Sequence, residues 1–347
     1  MNESVQALVA AVEADRSGKY DRTIQNKEAD LAFETDQSAG TTLFHLAPRS
    51  LLKQERLYFT PFSWTQYCNR VLCYPPKALD LSLITPQLVV EIANERRKRI
   101  RNRILKFRLR GDPEFVRTSG ASGRIYLRGF VDPSFPYFPM ADVLEKLATA
   151  AGPHELELRS RPVLPDHFYM GRFTILDPIE IGGRRFSLGF YLGHSEVGAI
   201  RSGLRLDRIL YEEGSKAALV LRYNQAPLFS VTRDHKDLET LGEALSDSVA
   251  KLVDCSDWAT KLLTVTSGSP GTIIGTAETG MRQICQAFNV ELAVRTKAIT
   301  TLRALRRPVG VSRLDVALAI ADAAKEEKPE KRLSLEILAG NILQEGR

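Results

Sequence analysis

The chain has 347 residues, of which 44% are hydrophobic and 26% charged, a composition that supports a sizeable buried core and excludes wholesale disorder. Its formal net charge of +6 favours polyanionic partners wherever the excess is concentrated. No stretch reaches the roughly 20 apolar residues that span a bilayer, and Met1–Gly18 lacks the basic-then-apolar order of a secretory leader, so the expectation is a cytoplasmic protein with no membrane partner.

In chain order, residues 1–18 read as a short helix around the apolar run Val5–Val12. Residues 19–40 are polar, end in Ser38-Ala39-Gly40 and predict a mobile lead-in. Order is expected from Thr41–Phe44. Thr60-Pro61-Phe62-Ser63 opens a helix, with Ser63 expected as its cap and Pro75-Pro76 as its stop. Thr85-Pro86 starts a second helix, running to about Arg101 with Leu88 and Ile92 on its apolar face. The period then changes to two: Leu105, Phe107 and Leu109 alternate with Lys106, Arg108 and Arg110, which predicts a half-buried strand.

Further strands are expected at Arg124–Phe130, Glu155–Arg161, Gly171–Leu176, Arg185–Tyr191, Leu204–Tyr211 and Ala217–Tyr223, with Gly182-Gly183 as a two-residue hairpin turn. Met140–Ala151 reads as an amphipathic helix. Asp237–Leu263, Met281–Phe288, Thr296–Leu305, Ser312–Lys325 and Leu333–Leu343 read as helical, with a Gly/Ser/Thr/Pro stretch at Thr266–Gly280. Strands and helices are segregated along the chain. The expected fold is therefore α+β: an antiparallel strand-rich central domain flanked by an N-terminal helical segment and a C-terminal helical region. The expected division is 1–40 as lead-in, 41–265 as core domain and 266–347 as helical region.

The strongest physical signal is a basic run. Nine of the fifteen positions from 96 to 110 are Lys or Arg, namely Arg96, Arg97, Lys98, Arg99, Arg101, Arg103, Lys106, Arg108 and Arg110, with no acid among them. Such crowding costs repulsion that phosphates relieve while counterions are released. The structural alternative is a solvated helix face matched by acids such as Glu91 and Glu95. Arg117 and Arg124 bracket the small residues Thr118–Gly123, a loop that could follow a phosphate backbone or form a plain hairpin tip. Arg128 follows in the next strand, near Tyr126, Phe130, Phe135, Tyr137 and Phe138, aromatics that either stack bases or fill the core.

Templates for catalysis are lacking. The glycines at 268, 271, 275 and 280 have no Walker-type lysine, and no G-x-S-x-G elbow exists. Cys68, Cys73, Cys255 and Cys285 do not have zinc-site spacing, and reduced, buried thiols are expected. His194 with Glu196, and Asp234-His235 with Asp237, are compact but short of ligands and read as solvated surface. No metal or cofactor is expected. A metal-dependent nucleic-acid enzyme would require distant carboxylates such as Asp177, Glu180 and Glu196 to converge.

One segment resembles a known family. Gly193-His194-Ser195-Glu196-Val197-Gly198, followed by Leu204-Arg205-Leu206 and Ile209-Leu210-Tyr211, is similar to the asparagine–serine–glutamate–valine–glycine motif of the phage- and plasmid-encoded domain of unknown function 932, with His194 replacing the asparagine. Ser63–Leu72, Ile92-Ala93-Asn94, Ile125–Phe138 and Arg332–Gly340 fall in that family's order. The resemblance implies a mobile-element origin rather than an activity. Within the motif, His194, Ser195, Glu196 and Gly198 read as a turn in which Glu196 caps a helix or pairs with Arg201 or Arg205. The expected function is non-catalytic binding of nucleic acid, single-stranded DNA first, in annealing or recombination, with a homo-oligomer as one form. The alternative is a protein that inhibits a host defence or nucleic-acid-processing enzyme.

Overall fold

The computed structural model describes residues 3–16, 19–25, 29–36, 40–48, 56–73, 75–79, 84–99, 104–111, 125–131, 135, 138–152, 154–160, 168–175, 177–197, 200, 203–222, 226–232, 235, 237–267, 275–305 and 310–344. Of these, residues 15–16, 19–25, 29, 48, 70–71, 78, 97–99, 104–111 and 285 are described by backbone only.

Helix α1 (Glu3–Arg16) leads into β1 (Lys19–Gln25), β2 (Ala29–Asp36), β3 (Thr41–Pro48) and β4 (Leu57–Phe59). The segment expected as a lead-in thus supplies two strands. Its polar composition hid them because they are the two edges of a sheet, where one row of side chains suffices for packing. Helix α2 (Pro61–Gln66) continues as a π-helix over Tyr67–Leu72 and ends at Cys73, whose φ of 50° turns the chain left-handed. Thr60, not Ser63, is the N-cap: its hydroxyl accepts from the Ser63 amide at 3.2 Å, and the Ser63 hydroxyl accepts from the Thr60 amide at 2.9 Å. Proline at the next position accounts for this, since Pro61 fits the first helical position and places the cap immediately before it.

Helix α3 (Pro86–Arg99) buries Val89 and Ala93 and leaves Leu88 42% exposed. The expected face was off by one residue. Small Ala93 lets the helix approach β2 so closely that Asn94 both accepts from the Leu31 amide and donates to its carbonyl, each at 3.0 Å. Strands β5 (Ile104–Gly111) and β6 (Ile125–Val131) complete a six-stranded sheet of order β1-β5-β6-β4-β3-β2, antiparallel except for the β4–β6 pair. Its core, centred on Leu46, Leu57, Tyr67, Leu127 and Phe130, lies beneath α2 and α3.

Helix α4 (Met140–Ala151) has the expected buried face of Val143, Leu144 and Leu147. A second sheet follows: β7 (Glu157–Leu158), β8 (Tyr169–Thr174), β9 (Ile179–Ile181), β10 (Arg184–His194), β11 (Leu204–Glu212), β12 (Ala217–Leu221) and β13 (Phe229–Ser230), with main path β12-β11-β10-β8-β7. All its pairs are antiparallel. Gly182 and Gly183, at φ 60° and 74°, make the two-residue hairpin turn the sequence announces. The strand expected at Glu155–Arg161 shortens to two residues.

Helices α5 (Leu238–Val253), α6 (Ser256–Thr266), α7 (Ala277–Phe288), α8 (Leu292–Ala304), α9 (Arg313–Ala323) and α10 (Pro329–Gln344) close the chain. The expected 237–263 helix is two, parted at Asp254-Cys255. Asp237 and Ser312 cap α5 and α9, each in a capping box. Nearly every residue of α9 is buried, so this helix sits inside the main core rather than on it. Helix α10 lies against β12, where a Cβ at Gly340 would fall 1.8 Å from the Val220 carbonyl oxygen. The second sheet is therefore covered on both faces: one by the main core, the other by α10 through Leu333 and Ile337. The fold is mixed α+β with antiparallel sheets and helices at both ends, as expected.

Candidate functional site

The basic run divides between structural work and a strand. Arg96, half-buried near the end of α3, donates from Nη1 to the carbonyls of Leu72 and Cys73 at 3.1 and 3.3 Å. It thereby satisfies the last carbonyls of the π-helix, which no turn of that helix can reach. Arg97, Lys98 and Arg99 form the final turn of α3, where positive charge also complements the helix dipole; their side chains lie outside the described residues. Arg101, Arg103, Arg117 and Arg124 lie outside them altogether.

Lys106, Arg108 and Arg110 occupy β5, described by backbone. Strand β5 pairs in unbroken register with β1, Asp21 opposite Arg108 and Thr23 opposite Lys106. On its other side Leu109 stands opposite Leu127, Phe107 opposite Phe130 and Arg110 opposite Tyr126. Tyr126 is half-buried, its ring centroid 6.3 Å from that of Tyr58. Of the other aromatics, Phe130 and Phe138 are core, Phe135 is half-buried, and Tyr137 is outside the described residues.

Arg128 departs from the expected interface. It is buried, and its Nη2 donates to the Glu196 carboxylate at 2.9 Å, with side-chain exposures of 6% and 9%. A guanidinium so enclosed is committed to its carboxylate and does not present itself to a nucleic acid. Glu196 accordingly pairs across the two sheets with Arg128; Arg205 turns instead to Asp207, and Arg201 lies outside the described residues.

The rest of the motif turn is buried too. His194 ends β10 at 4% exposure, and its Nε2 lies 2.8 Å from the Phe138 carbonyl; because a carbonyl only accepts, that nitrogen carries the proton. Ser195, 1% exposed, donates its amide to the Gly203 carbonyl at 2.7 Å, and its hydroxyl accepts from the Val197 amide at 3.4 Å. Gly198 is outside the described residues. The solvated reading of His194 and Glu196 thus gives way to a packed turn. Sequence alone could not find its partners, which lie 56 and 68 residues away.

Gln66 completes a clasp at this point. From α2 its amide nitrogen donates to the Val197 carbonyl at 2.8 Å, and its oxygen accepts from the Phe130 amide at 2.8 Å. A Cβ at Gly129 would meet the Val197 Cβ at 2.7 Å and the Gln66 oxygen at 2.8 Å, so only glycine allows the strand, the helix and the turn to meet. The motif turn is the joint between the two sheets.

Among the described residues no three of His, Cys, Asp and Glu come together as a metal site, and the convergence of Asp177, Glu180 and Glu196 that a metal enzyme would require is not observed. Cys68, Cys73 and Cys255 are free thiols; burial pushes that of Cys68 up to about 12. Cys285 is described by backbone only. Among the described residues no helix is long and apolar enough to cross a membrane. No protein-family model, curated protein or solved structure matches the chain. The resemblance to domain 932 accordingly rests on the sequence segments quoted above alone.

Proposed function

We propose that the chain binds single-stranded nucleic acid through the basic row of β5. The observation that supports this reading is the register of that strand. Positions 107 and 109 stand opposite the core residues Phe130 and Leu127, so strand alternation assigns Lys106, Arg108 and Arg110 to the other row, where they stand opposite Val131, Gly129 and the half-buried Tyr126. A row of cations beside an aromatic ring is what a sequence-tolerant single-strand binder needs: charge for the backbone and a ring face for a base. The end of α3 adds Arg97, Lys98 and Arg99 to the same sheet's module. A role in annealing or recombination fits the mobile-element setting of the family resemblance. No catalytic step is part of the proposal.

Fluorescence anisotropy with a labelled oligothymidylate, titrated over a range of salt, tests it. The expected result is binding at low salt that weakens steeply as salt rises. The triple change Lys106→Gln, Arg108→Gln, Arg110→Gln should cost about tenfold or more in affinity and lower the log–log salt slope by about 2, at roughly 0.7 per lost phosphate contact. Arg128→Met should leave that slope unchanged. Absence of binding at low salt, or a triple variant that binds like the wild type, overturns the proposal.

A further inference from the structure

A second site lies where the motif turn, α2 and α10 meet the outer face of the second sheet. A cavity of about 370 Å³ opens there, within the size range of small-molecule sites. Its lining contains none of the residues of the proposed nucleic-acid interface. The walls are aromatic and aliphatic: Phe62 from α2, Phe168 and Met170 at the start of β8, Tyr191 of β10, and Leu333 of α10. Gly193 lies in register between Met170 and Arg205. With no side chain there the floor stays open, and a Cβ at that position would reach within 2.9 Å of Ile200, which lines the opposite wall.

The polar end is built from arginine. Arg205, 30% exposed at its side chain, approaches Asp207 with Nε at 2.8 Å and donates to it from Nη2 at 2.9 Å. Its Nε, though close, makes no hydrogen bond and is left without a partner. Asp207, 1% exposed, is also held by Arg222, whose Nε donates to it at 3.0 Å. Next to this group Glu336, wholly buried, receives both Arg172 and Arg332, at 2.7 and 3.0 Å. Each of the two buried carboxylates is therefore matched by two guanidinium groups, which leaves an excess of positive charge behind the cavity. Arg205, Arg222 and Arg332 keep 30%, 17% and 23% of their side chains exposed, so this excess is partly hydrated and open to exchange that water for an anion. Glu330 lines the mouth but is exposed to solvent, where its charge is screened.

We infer that this cavity binds a small planar aromatic ligand carrying one anionic group, its rings among Phe62, Phe168, Tyr191 and Met170 and its anion on Arg205. Aromatic walls favour stacked or edge-on rings, and the Met170 sulfur adds a polarizable contact. A guanidinium already oriented by Asp207 offers its remaining N–H groups without further ordering, which favours a carboxylate or sulfonate over a neutral group. The volume suits about three rings.

Two fluorescent probes with the same ring system test the assignment in the full chain: 8-anilinonaphthalene-1-sulfonate, which carries the anion, and N-phenyl-1-naphthylamine, which lacks it. Both should bind the folded protein one to one. Arg205→Met should weaken the sulfonate about tenfold or more and the neutral probe by no more than about twofold; Arg222 continues to hold Asp207 in that variant. Gly193→Val should abolish binding of both probes. Should that strand change prevent folding, Ile200→Trp fills the same space from outside the strands and decides the matter. One-to-one binding that Arg205→Met weakens equally for both probes overturns the anionic part of the inference. Absence of saturable binding, or binding that survives Ile200→Trp, overturns the site.

Discussion

The Arg128 guanidinium on β6 and the Glu196 carboxylate in the turn after β10 meet at 2.9 Å between the two sheets, both nearly enclosed. Removing one partner takes an opposite charge from the other in a place that water hardly reaches. Arg128→Met or Glu196→Leu should each lower stability by about 3 kcal/mol or more, whereas the double change should recover much of that loss. Urea unfolding of the four proteins measures the cycle. Additive losses would mean that the pair does not couple the sheets.

Gly340 makes a sharper claim about packing. Its missing Cβ lets α10 rest directly on the β12 backbone, against the Val220 carbonyl. Gly340→Ala cannot be absorbed by a rotamer change, because the clashing atoms are backbone; helix and strand must separate. The substitution improves helix propensity by roughly 1 kcal/mol, yet a net destabilisation of about 2 kcal/mol or more is expected from the forced separation. Thermal unfolding with Gly340→Ala no less stable than the wild type would show that α10 does not seat this closely.

How much of this was legible in the sequence follows the reach of each signal. The Gly182-Gly183 hairpin, the Met140–Ala151 helix and the helix starts near Asp237 and Ser312 were readable because their causes are local. Strands β1 and β2 were not. Edge strands rich in polar residues have no full alternation to display, and their pairing partners at 104–110 and 41–48 are set by register rather than by composition. The basic run was visible as charge, but Arg96 serving two π-helix carbonyls and Arg128 serving Glu196 depend on neighbours that only the fold supplies. The motif turn at 193–198 was recognised as a turn; its place as the joint between sheets depended on Gln66, Gly129 and Phe138, residues that carry no chemical signature. The cavity beside Arg205 had no sequence signal, since its walls come from α2, three strands, a loop and α10.

His45 provides a pH handle on the first sheet. It is 5% exposed beside Tyr58, and burial lowers its pKa from the ordinary 6.5, with the nearby Glu34 opposing and Arg56 reinforcing the shift. The folded state therefore holds a neutral imidazole at a pH where the unfolded chain has already taken up a proton. Stability should be constant above the unfolded value and fall as pH drops below about 6.5, levelling off under the folded pKa, with a slope no steeper than about 1.4 kcal/mol per pH unit for this one proton. Urea midpoints at neutral and mildly acid pH, compared between wild type and His45→Phe, isolate the contribution. Identical pH profiles would show that His45 stays accessible to protons in the folded chain.

Both sheets expose an edge strand to a helix that carries an amide, and the two arrangements match. Asn94 of α3 brackets the Leu31 amide and carbonyl on β2; Gln344 of α10 accepts from the Arg222 amide at 3.2 Å and donates to its carbonyl at 3.3 Å, just past β12. A carboxamide imitates one residue of a neighbouring strand, so each edge is closed to pairing with another chain. Asn94→Ala and Gln344→Ala should each cost about 1–2 kcal/mol, nearly additively because the sites share no partner. Asn94→Asp is the more telling change. It keeps the acceptor for the Leu31 amide but sets a second oxygen against the Leu31 carbonyl, so it should cost at least as much as alanine despite its shape. Light scattering on the alanine variants at rising concentration should show association that the wild type lacks, with the double variant most affected. Monodisperse variants of unchanged stability would mean that these amides decorate the edges without guarding them.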